Sequence, residues 1–188
     1  MSSVTKSNLF KFTVFTAAFS VIIAGLVYFF PFTKPYQIVD FDEKRDTQSI
    51  LKMFDQDWYW LVAAQRGEYS PEFMLKHRTD DRNPANFGNL FIKVLRDKDK
   101  TAGFAAYFKK SFYRGFLRFV AVDRAFRGKG YGEKLTRFAV NDLFAMGVGI
   151  VELVTRTDNV KARSLYKKIG FTEDHIEDGF VYYSIRKK

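Results

Sequence analysis

The sequence contains no cysteine, and it contains only two histidines. The missing cysteine excludes a disulfide framework, a zinc site with thiolate ligands and a cysteine acyl-enzyme. His77 and His175 lie far apart and lack the spacing of metal ligands, so we predict no metal site. Proline and glycine are sparse, with four and twelve residues, and neither gathers into a low-complexity tract. These absences leave an ordinary folded chain without redox or metal chemistry of its own.

Acidic residues are also in deficit, with 21 Asp and Glu against 31 Lys and Arg and a formal net charge of +10. Such a balance favours an acidic partner, and on charge alone a phosphate-bearing ligand, nucleic acid and an anionic lipid surface all remain open. The basic residues are mixed with acids rather than gathered in one block, which is not typical of a nucleic-acid binder. The length of 188 residues suits one domain of ordinary size.

The N-terminal part of the chain has a long uncharged run at residues 12–32. As a helix this run would span about 31 Å, close to the hydrocarbon thickness of a bilayer at about 30 Å. The pattern predicts a transmembrane helix over residues 12–32 within an N-terminal membrane anchor, residues 1–33. A cleaved signal peptide and a buried core helix are the alternatives. Bulky aromatic residues at 28–32 stand where a cleavage site would need small ones.

Residues 34–188 form the second predicted domain, in which two kinds of hydrophobic periodicity alternate. Strands are predicted at residues 36–41, 90–95, 101–108, 112–122, 148–155 and 181–185. Helices are predicted as two short segments within 48–64, one beginning at Ser70-Pro71, and one each at 131–146 and 160–169. This order predicts an α+β fold with a mixed sheet that contains at least one parallel strand pair.

A glycine-rich loop lies between the strand that ends at Val122 and the helix that begins near Tyr131. Gly128, Gly130 and Gly132 alternate in it, together with Arg124, Arg127 and Lys129. Glycines let the backbone approach a ligand, and the free amides of a helix N-terminus bind anions. The predicted ligand of the loop is therefore a pyrophosphate. A turn that merely ends the strand is the alternative. The loop fits neither the dinucleotide fingerprint nor the phosphate-binding P-loop, because Glu133 stands where the former needs its last glycine.

The loop has the pattern R-x-x-G-x-G at residues 127–132, and a second motif follows after one helix and one strand. The second motif consists of Asn159, Ala162, Leu165, Tyr166, Gly170 and Phe171. Together the two motifs resemble the GNAT superfamily of N-acetyltransferases, over a region from about residue 36 to the C-terminus. The resemblance implies a mostly antiparallel sheet in which one parallel strand pair splays apart and receives acetyl-CoA as co-substrate, with no metal.

The resemblance also implies which residues bind the co-substrate. The backbone of Val120, Ala121 and Val122 would pair with the pantetheine arm, and the diphosphate would lie on the loop. Asn159, at the start of the following helix, matches a residue that contacts the cofactor. The implied loop ligands are Arg127, Gly128, Lys129, Gly130, Tyr131 and Gly132.

Tyr166 matches the tyrosine that stands near the thioester sulfur and acts as general acid. An ordinary phenol, with a pKa of about 10, is neutral at pH 7 and can donate its proton. A buried core aromatic is the alternative for this residue. The base is left open between Glu152, a water held by backbone carbonyls, and a residue of the variable N-terminal half. A surface or ion-pairing role is the alternative for Glu152. Relatives that acetylate protein N-termini have a glutamate where this chain has Val154, so the resemblance weakens that substrate class.

The sequence therefore predicts a membrane-tethered N-acetyltransferase that moves an acetyl group to a primary amine by direct attack in a ternary complex. A non-catalytic module that binds coenzyme A or a partner is the alternative.

We expect a single-pass membrane location with the catalytic part in the cytoplasm, where acetyl-CoA is available, although flanking charges do not decide orientation. The partners would be a small-molecule or peptide amine and the membrane, without nucleic acid. The acceptor would contact residues 42–89. Candidates for an aromatic and acidic wall around a cationic amine are Asp55, Asp57, Trp58, Tyr59, Trp60 and Glu68, with a place in the helix core as the alternative for the two tryptophans.

Overall fold

The structure is a computed structural model that describes residues 36–188. These residues form a seven-stranded sheet in the order β1-β2-β3-β4-β5-β7-β6. The strands are β1 (Tyr36–Asp40), β2 (Phe91–Asp97), β3 (Lys100–Lys109), β4 (Arg114–Val122), β5 (Ile150–Arg156), β6 (Thr172–Glu177) and β7 (Phe180–Arg186). The helices are α1 (Glu43–Leu61), α2 (Pro71–His77), α3 (Tyr131–Ala145) and α4 (Val160–Ile169), with single 3-10 turns at Pro84–Asn86 and Arg124–Phe126.

Every neighbouring strand pair is antiparallel except β4 and β5, which run parallel. Their pairing covers only the first residues of each strand, Arg114 with Ile150, Gly115 with Val151 and Phe116 with Glu152. Beyond these positions β4 stays paired to β3 as far as Val122, and β5 stays paired to β7 as far as Arg156. The two strands therefore diverge toward their C-terminal ends, and a gap opens in the middle of the sheet.

Each face of the sheet packs against its own helices, as the alternation of buried side chains along the strands requires. Leu135, Ala139 and Leu143 of α3 are fully buried on one face, together with strand residues such as Val151. On the other face Ile50, Met53 and Phe54 of α1 form a second core with α2. The gap between β4 and β5 thus lies between two helical layers, and it can be approached from both.

Helix boundaries follow from local capping. Ser70 accepts a hydrogen bond from the Phe73 N–H at 3.1 Å, and Pro71 occupies the first turn of α2. Asn159 caps α4 in the same way, and Gly170, with φ of 111°, ends it in the left-handed conformation. The predicted starts of both helices are confirmed.

The two short helices predicted within residues 48–64 correspond to the two parts of α1, which meet at a non-helical residue, Asp57, where φ is −130° and ψ is 28°. The first part begins earlier than predicted, at Glu43. Strand β6 was not predicted. All of its residues are exposed, so its sequence lacks the alternation of apolar and polar side chains from which a strand is inferred.

The predicted single-pass membrane location is corrected by the structure. Within residues 36–188 no helix is long and apolar enough to cross a membrane. The longest, α1, has 19 residues, but charged side chains recur along it and its apolar face packs on the sheet. The predicted anchor, residues 1–33 with a transmembrane helix over 12–32, lies outside the described residues.

Candidate active site

The divergence of β4 and β5 is flanked by two cavities. The larger, which we call the loop-side cavity, has a volume of about 650 Å³ and adjoins the glycine-rich loop and α4. The smaller, which we call the aromatic cavity, has a volume of about 340 Å³ and is lined by six aromatic rings besides Tyr166. Those rings belong to Tyr59, Trp60, Phe116, Phe119, Phe180 and Tyr182. The two cavities share the lining residues Trp60, Leu61, Val120, Asn159, Ala162 and Tyr166.

The glycine-rich loop turns β4 into α3 and borders the loop-side cavity. Gly128 and Gly130 have φ of 82° and 74°, in the left-handed region that side chains disfavour. None of the backbone N–H groups at positions 128–133 donates a hydrogen bond to another residue of the described chain. A Cβ atom added at Gly128 or Gly130 would meet nothing within 4 Å. A row of free amides at a helix N-terminus, with open space beside it, fits a diphosphate.

The loop cations are engaged with acids of distant elements. Arg127 donates to the buried carboxylate of Asp57 and, at 3.0 Å, to the carbonyl of Val122. Lys129 donates to Asp97 at 2.8 Å, and the hydroxyl of Tyr131 donates to the same carboxylate oxygen, also at 2.8 Å. The amides of the loop are therefore open to a ligand, whereas Arg127 and Lys129, both predicted as ligands, are held in ion pairs.

These contacts shift the pKa values of the pair on the loop. The hydrogen bond from Lys129, followed by that from Tyr131, lowers the pKa of Asp97 below its ordinary value. The hydrogen bond to Asp97 in turn raises the pKa of Lys129. Both groups therefore stay charged at neutral pH, and the pair ties the loop to the end of β2.

Asn159 and Tyr166 lie on the far side of the gap, on α4. The Asn159 side chain accepts from the Ala162 N–H at 3.3 Å and donates to the Thr155 hydroxyl at 3.3 Å, so its orientation is set by the helix start. Tyr166 stands two turns further along and lines both cavities. The structure thus brings together the loop, the end of β4, Asn159 and Tyr166, which lie up to 46 positions apart in sequence.

The Tyr166 ring is held between two other rings. Its centroid lies 5.8 Å from that of Phe171 and 5.9 Å from that of Tyr183. Burial raises the pKa of the Tyr166 phenol to about 12, with a smaller contribution from Tyr183. Within residues 36–188 its hydroxyl makes no hydrogen bond, so this donor is available to a ligand in the cavities that Tyr166 lines.

Glu152 lines neither the loop-side cavity nor the aromatic cavity. It lies on β5 opposite Phe116, where β4 and β5 are still paired. Its carboxylate accepts from Lys110 at 3.2 Å and forms a second ion pair with Arg114. The side chain is only 17% exposed, and both of its oxygens are engaged by cations.

The acidic wall predicted for residues 42–89 does not form. Asp55 pairs with Arg66 at 2.8 Å, and Glu68 accepts from the Gln65 N–H at 2.9 Å. Asp57 lines the loop-side cavity, but its carboxylate is committed to the loop arginines. Of the six predicted candidates, only the aromatic Tyr59 and Trp60 line the aromatic cavity.

The aromatic cavity has two charged residues that sequence reasoning missed, Arg118 on β4 and Arg156 on β5. Arg118 pairs with Asp80 at 2.6 Å. Arg156 donates from Nε to the carbonyl of Tyr59 at 2.7 Å. Arg118 lies where the register between β3 and β4 shifts, so the two-residue alternation is broken at this position. No local pattern in the sequence therefore indicated that Arg118 and Arg156 line one cavity.

Within residues 36–188 no group of three or more His, Asp and Glu side chains could hold a metal ion.

Comparison with known proteins shows the family. Residues 47–171 match the Acetyltransferase (GNAT) family, and the chain belongs to that family. A 61-residue segment, 32% of this chain, is 36% identical to the ribosomal protein bS18 alanine N-acetyltransferase of Haemophilus ducreyi, of which it covers 42%. The matched segments span between 24% and 42% of the lengths of the first curated relatives.

Solved structures share the fold. The ribosomal protein S18 alanine N-acetyltransferase of Escherichia coli superposes with a TM-score of 0.62 at 19% identity, over 80% of this chain and 93% of that one. The PaiA N-acetyltransferase of Thermoplasma acidophilum, in complex with coenzyme A, superposes with a TM-score of 0.62 at 16% identity, over 81% of this chain and 99% of that one. The GNAT-like fold, with its single parallel pair in a mixed sheet flanked by helices, is therefore confirmed.

Proposed function

We propose that residues 34–188 form an acetyl-CoA-dependent N-acetyltransferase domain that transfers an acetyl group to an amine. The observation that supports this most is the gap between β4 and β5, because a cavity lies on each side of it and Tyr166 borders both. One substrate can enter from the loop side and the other from the aromatic side, and their reactive ends would meet at Tyr166. A module that only binds coenzyme A would not require the second cavity.

The loop-side cavity is the proposed site of acetyl-CoA. The free amides of residues 128–133 would bind its diphosphate. The backbone of Val120, Ala121 and Val122 would pair with the pantetheine arm, since β4 has lost β5 as a neighbour at these positions. Because Arg127 and Lys129 are paired with acids, we assign the binding mainly to backbone N–H groups. Asn159 would contact the cofactor from the start of α4.

Bound acetyl-CoA supplies the acetyl group as a thioester, which the amine attacks directly while the carbon–sulfur bond breaks. Tyr166 would donate a hydrogen bond to the departing sulfur and act as its general acid. Its raised pKa of about 12 keeps the phenol protonated throughout the physiological range. Its ring contacts with Phe171 and Tyr183 would keep the hydroxyl positioned.

The acceptor ammonium must lose a proton before it attacks. Glu152 is poorly placed for this role, because Lys110 and Arg114 hold its carboxylate at the closed part of the strand pair. No Asp or Glu of the described residues lines the aromatic cavity. Of the alternatives that the sequence leaves open, we therefore favour water as the base. The positive charges of Arg118 and Arg156 would assist the deprotonation, since nearby cations lower the pKa of an ammonium group.

Two measurements on the purified full chain test this function. Isothermal titration calorimetry with coenzyme A should give heat that is lost when diphosphate binding is blocked by Gly130→Asp. Release of free thiol from acetyl-CoA should appear only when an amine is added. Absence of coenzyme A binding at millimolar concentration would refute the donor site, and binding without amine-dependent thiol release would leave only a cofactor-binding module.

A further inference from the structure

We propose that the acceptor is a small amine that carries a carboxylate in the same molecule, and that Arg118 and Arg156 bind this carboxylate in the aromatic cavity. The inference rests on the proposed acetyltransferase function and adds the substrate class. Neither the family match nor the similar structures assign these two arginines.

The charge of the aromatic cavity is the first observation. Its lining contains two guanidinium groups, and within residues 36–188 it contains no carboxylate and no lysine. Asp80 pairs with Arg118 from outside the lining, which leaves the charge of Arg156 unbalanced by any ion pair within the described residues. A polyamine would meet like charge here, whereas an anionic group on the acceptor would meet a complementary one.

The way in which Arg156 is held is the second observation. Its guanidinium lies 4.2 Å from the ring centroid of Tyr59 and 5.1 Å from that of Phe180. Its Nε donates to the Tyr59 carbonyl at 2.7 Å, and within the described chain its two terminal nitrogens donate to nothing. Stacking and one hydrogen bond therefore fix the guanidinium plane and leave terminal donors for a carboxylate.

The position of the two arginines relative to the gap is the third observation. Arg118 lies where the register between β3 and β4 shifts, and its guanidinium is 4.7 Å from the ring centroid of Phe119, a residue of the core that α1 and α2 cover. Arg156 contacts Tyr59 of α1, so both side chains lie on the face of the sheet that the aromatic cavity occupies. Tyr166 borders the same cavity. A carboxylate bound between these strands would therefore place the amine of the same small molecule toward Tyr166.

The size and lining of the cavity agree with a small acceptor. Its volume of about 340 Å³ is at the lower end of the range of small-molecule sites, about 300 to 1,000 Å³. Its aromatic rings suit an apolar body between the amine and the carboxylate, as in an aromatic amino acid. L-phenylalanine is therefore the probe of choice.

The first experiment compares acceptors on the wild-type full chain. Thiol release from acetyl-CoA is measured with L-phenylalanine, phenethylamine, spermidine and a phenylalanine-initiated peptide with an amidated C-terminus. A charge-assisted hydrogen bond of about 1.5 to 3 kcal/mol predicts a kcat/KM at least about tenfold higher for L-phenylalanine than for phenethylamine. Equal or higher kcat/KM for phenethylamine, spermidine or the peptide would overturn the proposal.

The second experiment uses variants of Arg156. Arg156→Gln should raise the KM for L-phenylalanine about tenfold and should not raise the KM for phenethylamine, which has no carboxylate to lose its partner, and Arg156→Lys should recover part of the loss. The KM for acetyl-CoA should not change in either variant. Arg186→Gln, which alters a distant arginine on β7, is the matched control. An equal rise of KM for both acceptors would show a merely structural role and overturn the proposal.

A binding measurement separates this inference from the proposed function. In the presence of saturating coenzyme A, N-acetyl-L-phenylalanine should bind more tightly than N-acetylphenethylamine in calorimetry. If coenzyme A binds but the carboxylate gives no advantage, the substrate class is wrong while the donor site stands. If coenzyme A itself does not bind, the proposed function fails, and this inference fails with it.

Discussion

Replacing Tyr166 by phenylalanine removes one hydroxyl group and leaves the ring in place. The ring contacts with Phe171 and Tyr183 do not involve the hydroxyl, and no described residue is hydrogen-bonded to it. We therefore expect little change in the free energy of unfolding and in the affinity for coenzyme A. The expected loss is confined to the chemical step.

The size of that loss follows from the pKa. Complete transfer of the Tyr166 proton, with a pKa of about 12, to a thiolate of ordinary pKa about 8.5 is uphill by about 5 kcal/mol. The phenol should therefore act mainly as a hydrogen-bond donor to the developing thiolate. A hydrogen bond to a charged group contributes about 1.5 to 3 kcal/mol, which corresponds to a loss in kcat of roughly 10-fold to 150-fold.

The pH dependence has a definite sign. Burial raises the pKa of Tyr166 above the ordinary value of about 10, so the folded protein retains this proton where an unfolded chain would begin to lose it. Ionisation of Tyr166 should therefore cause no alkaline fall in kcat below about pH 11. The stability that protonation contributes is present below about pH 10 and is lost as the pH rises through the folded-state value.

The assay is single-turnover thiol release at saturating acetyl-CoA and amine. The control is Tyr113→Phe, at the residue just before β4. The Tyr166→Phe variant should show the reduced kcat, an unchanged KM for acetyl-CoA and an unchanged unfolding midpoint. A kcat equal to that of the wild type would refute the role of Tyr166. A large loss of stability would instead assign the residue to the core.

Three further outcomes are expected. Gly130→Ala places a side chain in the left-handed region, so it should lower the free energy of unfolding by about 1 to 2 kcal/mol and also weaken coenzyme A binding. Gly147→Ala, also at positive φ in open space, is the control and should lower stability alone. Urea unfolding measures stability and calorimetry measures binding, and equal effects of the two variants on binding would argue against the loop site. Glu152→Gln should change kcat by less than about threefold, since the carboxylate is held away from the gap, and a loss near 100-fold in the thiol assay would make it the base. Because Lys129 lowers the pKa of Asp97, the stability that this pair contributes should be present above about pH 4 and lost as the pH falls through the folded-state pKa of Asp97. Asp97→Asn should therefore make the free energy of unfolding depend less on pH in this acidic range. An unchanged acid-unfolding curve would contradict the ion pair.

Much of the fold was predictable because its signals are local. The 3.6-residue and two-residue periods indicated α3, α4 and strands β2 to β5, and capping residues marked where helices begin. Strand β6 was not predicted, because every residue in it is exposed and a strand at the edge of the sheet needs no apolar face. The break at Asp57 was predicted as the boundary between two helices, but the ion pair of its carboxylate with Arg127, 70 positions away in sequence, was not.

The candidate site, too, has features that the sequence predicted and features that it did not. The glycine-rich loop and the cap at Asn159 are short-range features, and the sequence indicated both. The sequence did not indicate that Arg118 and Arg156 line the aromatic cavity, because a charged residue in a half-buried strand is usually a solvent-exposed position. The predicted acidic wall did not form, because Asp55 and Glu68 found partners that sequence spacing does not specify.

By itself, the sequence determined the conformation of the loop between β4 and α3, because glycine at positive φ and a helix start are properties of neighbouring residues. It also predicted which residues could supply a proton or bind a diphosphate. Only the tertiary structure decided that β4 and β5 pair at three positions and then separate. That separation depends on which strands lie beside them, β3 on one side and β7 on the other, and such long-range pairing is set by packing of the whole sheet rather than by local preference.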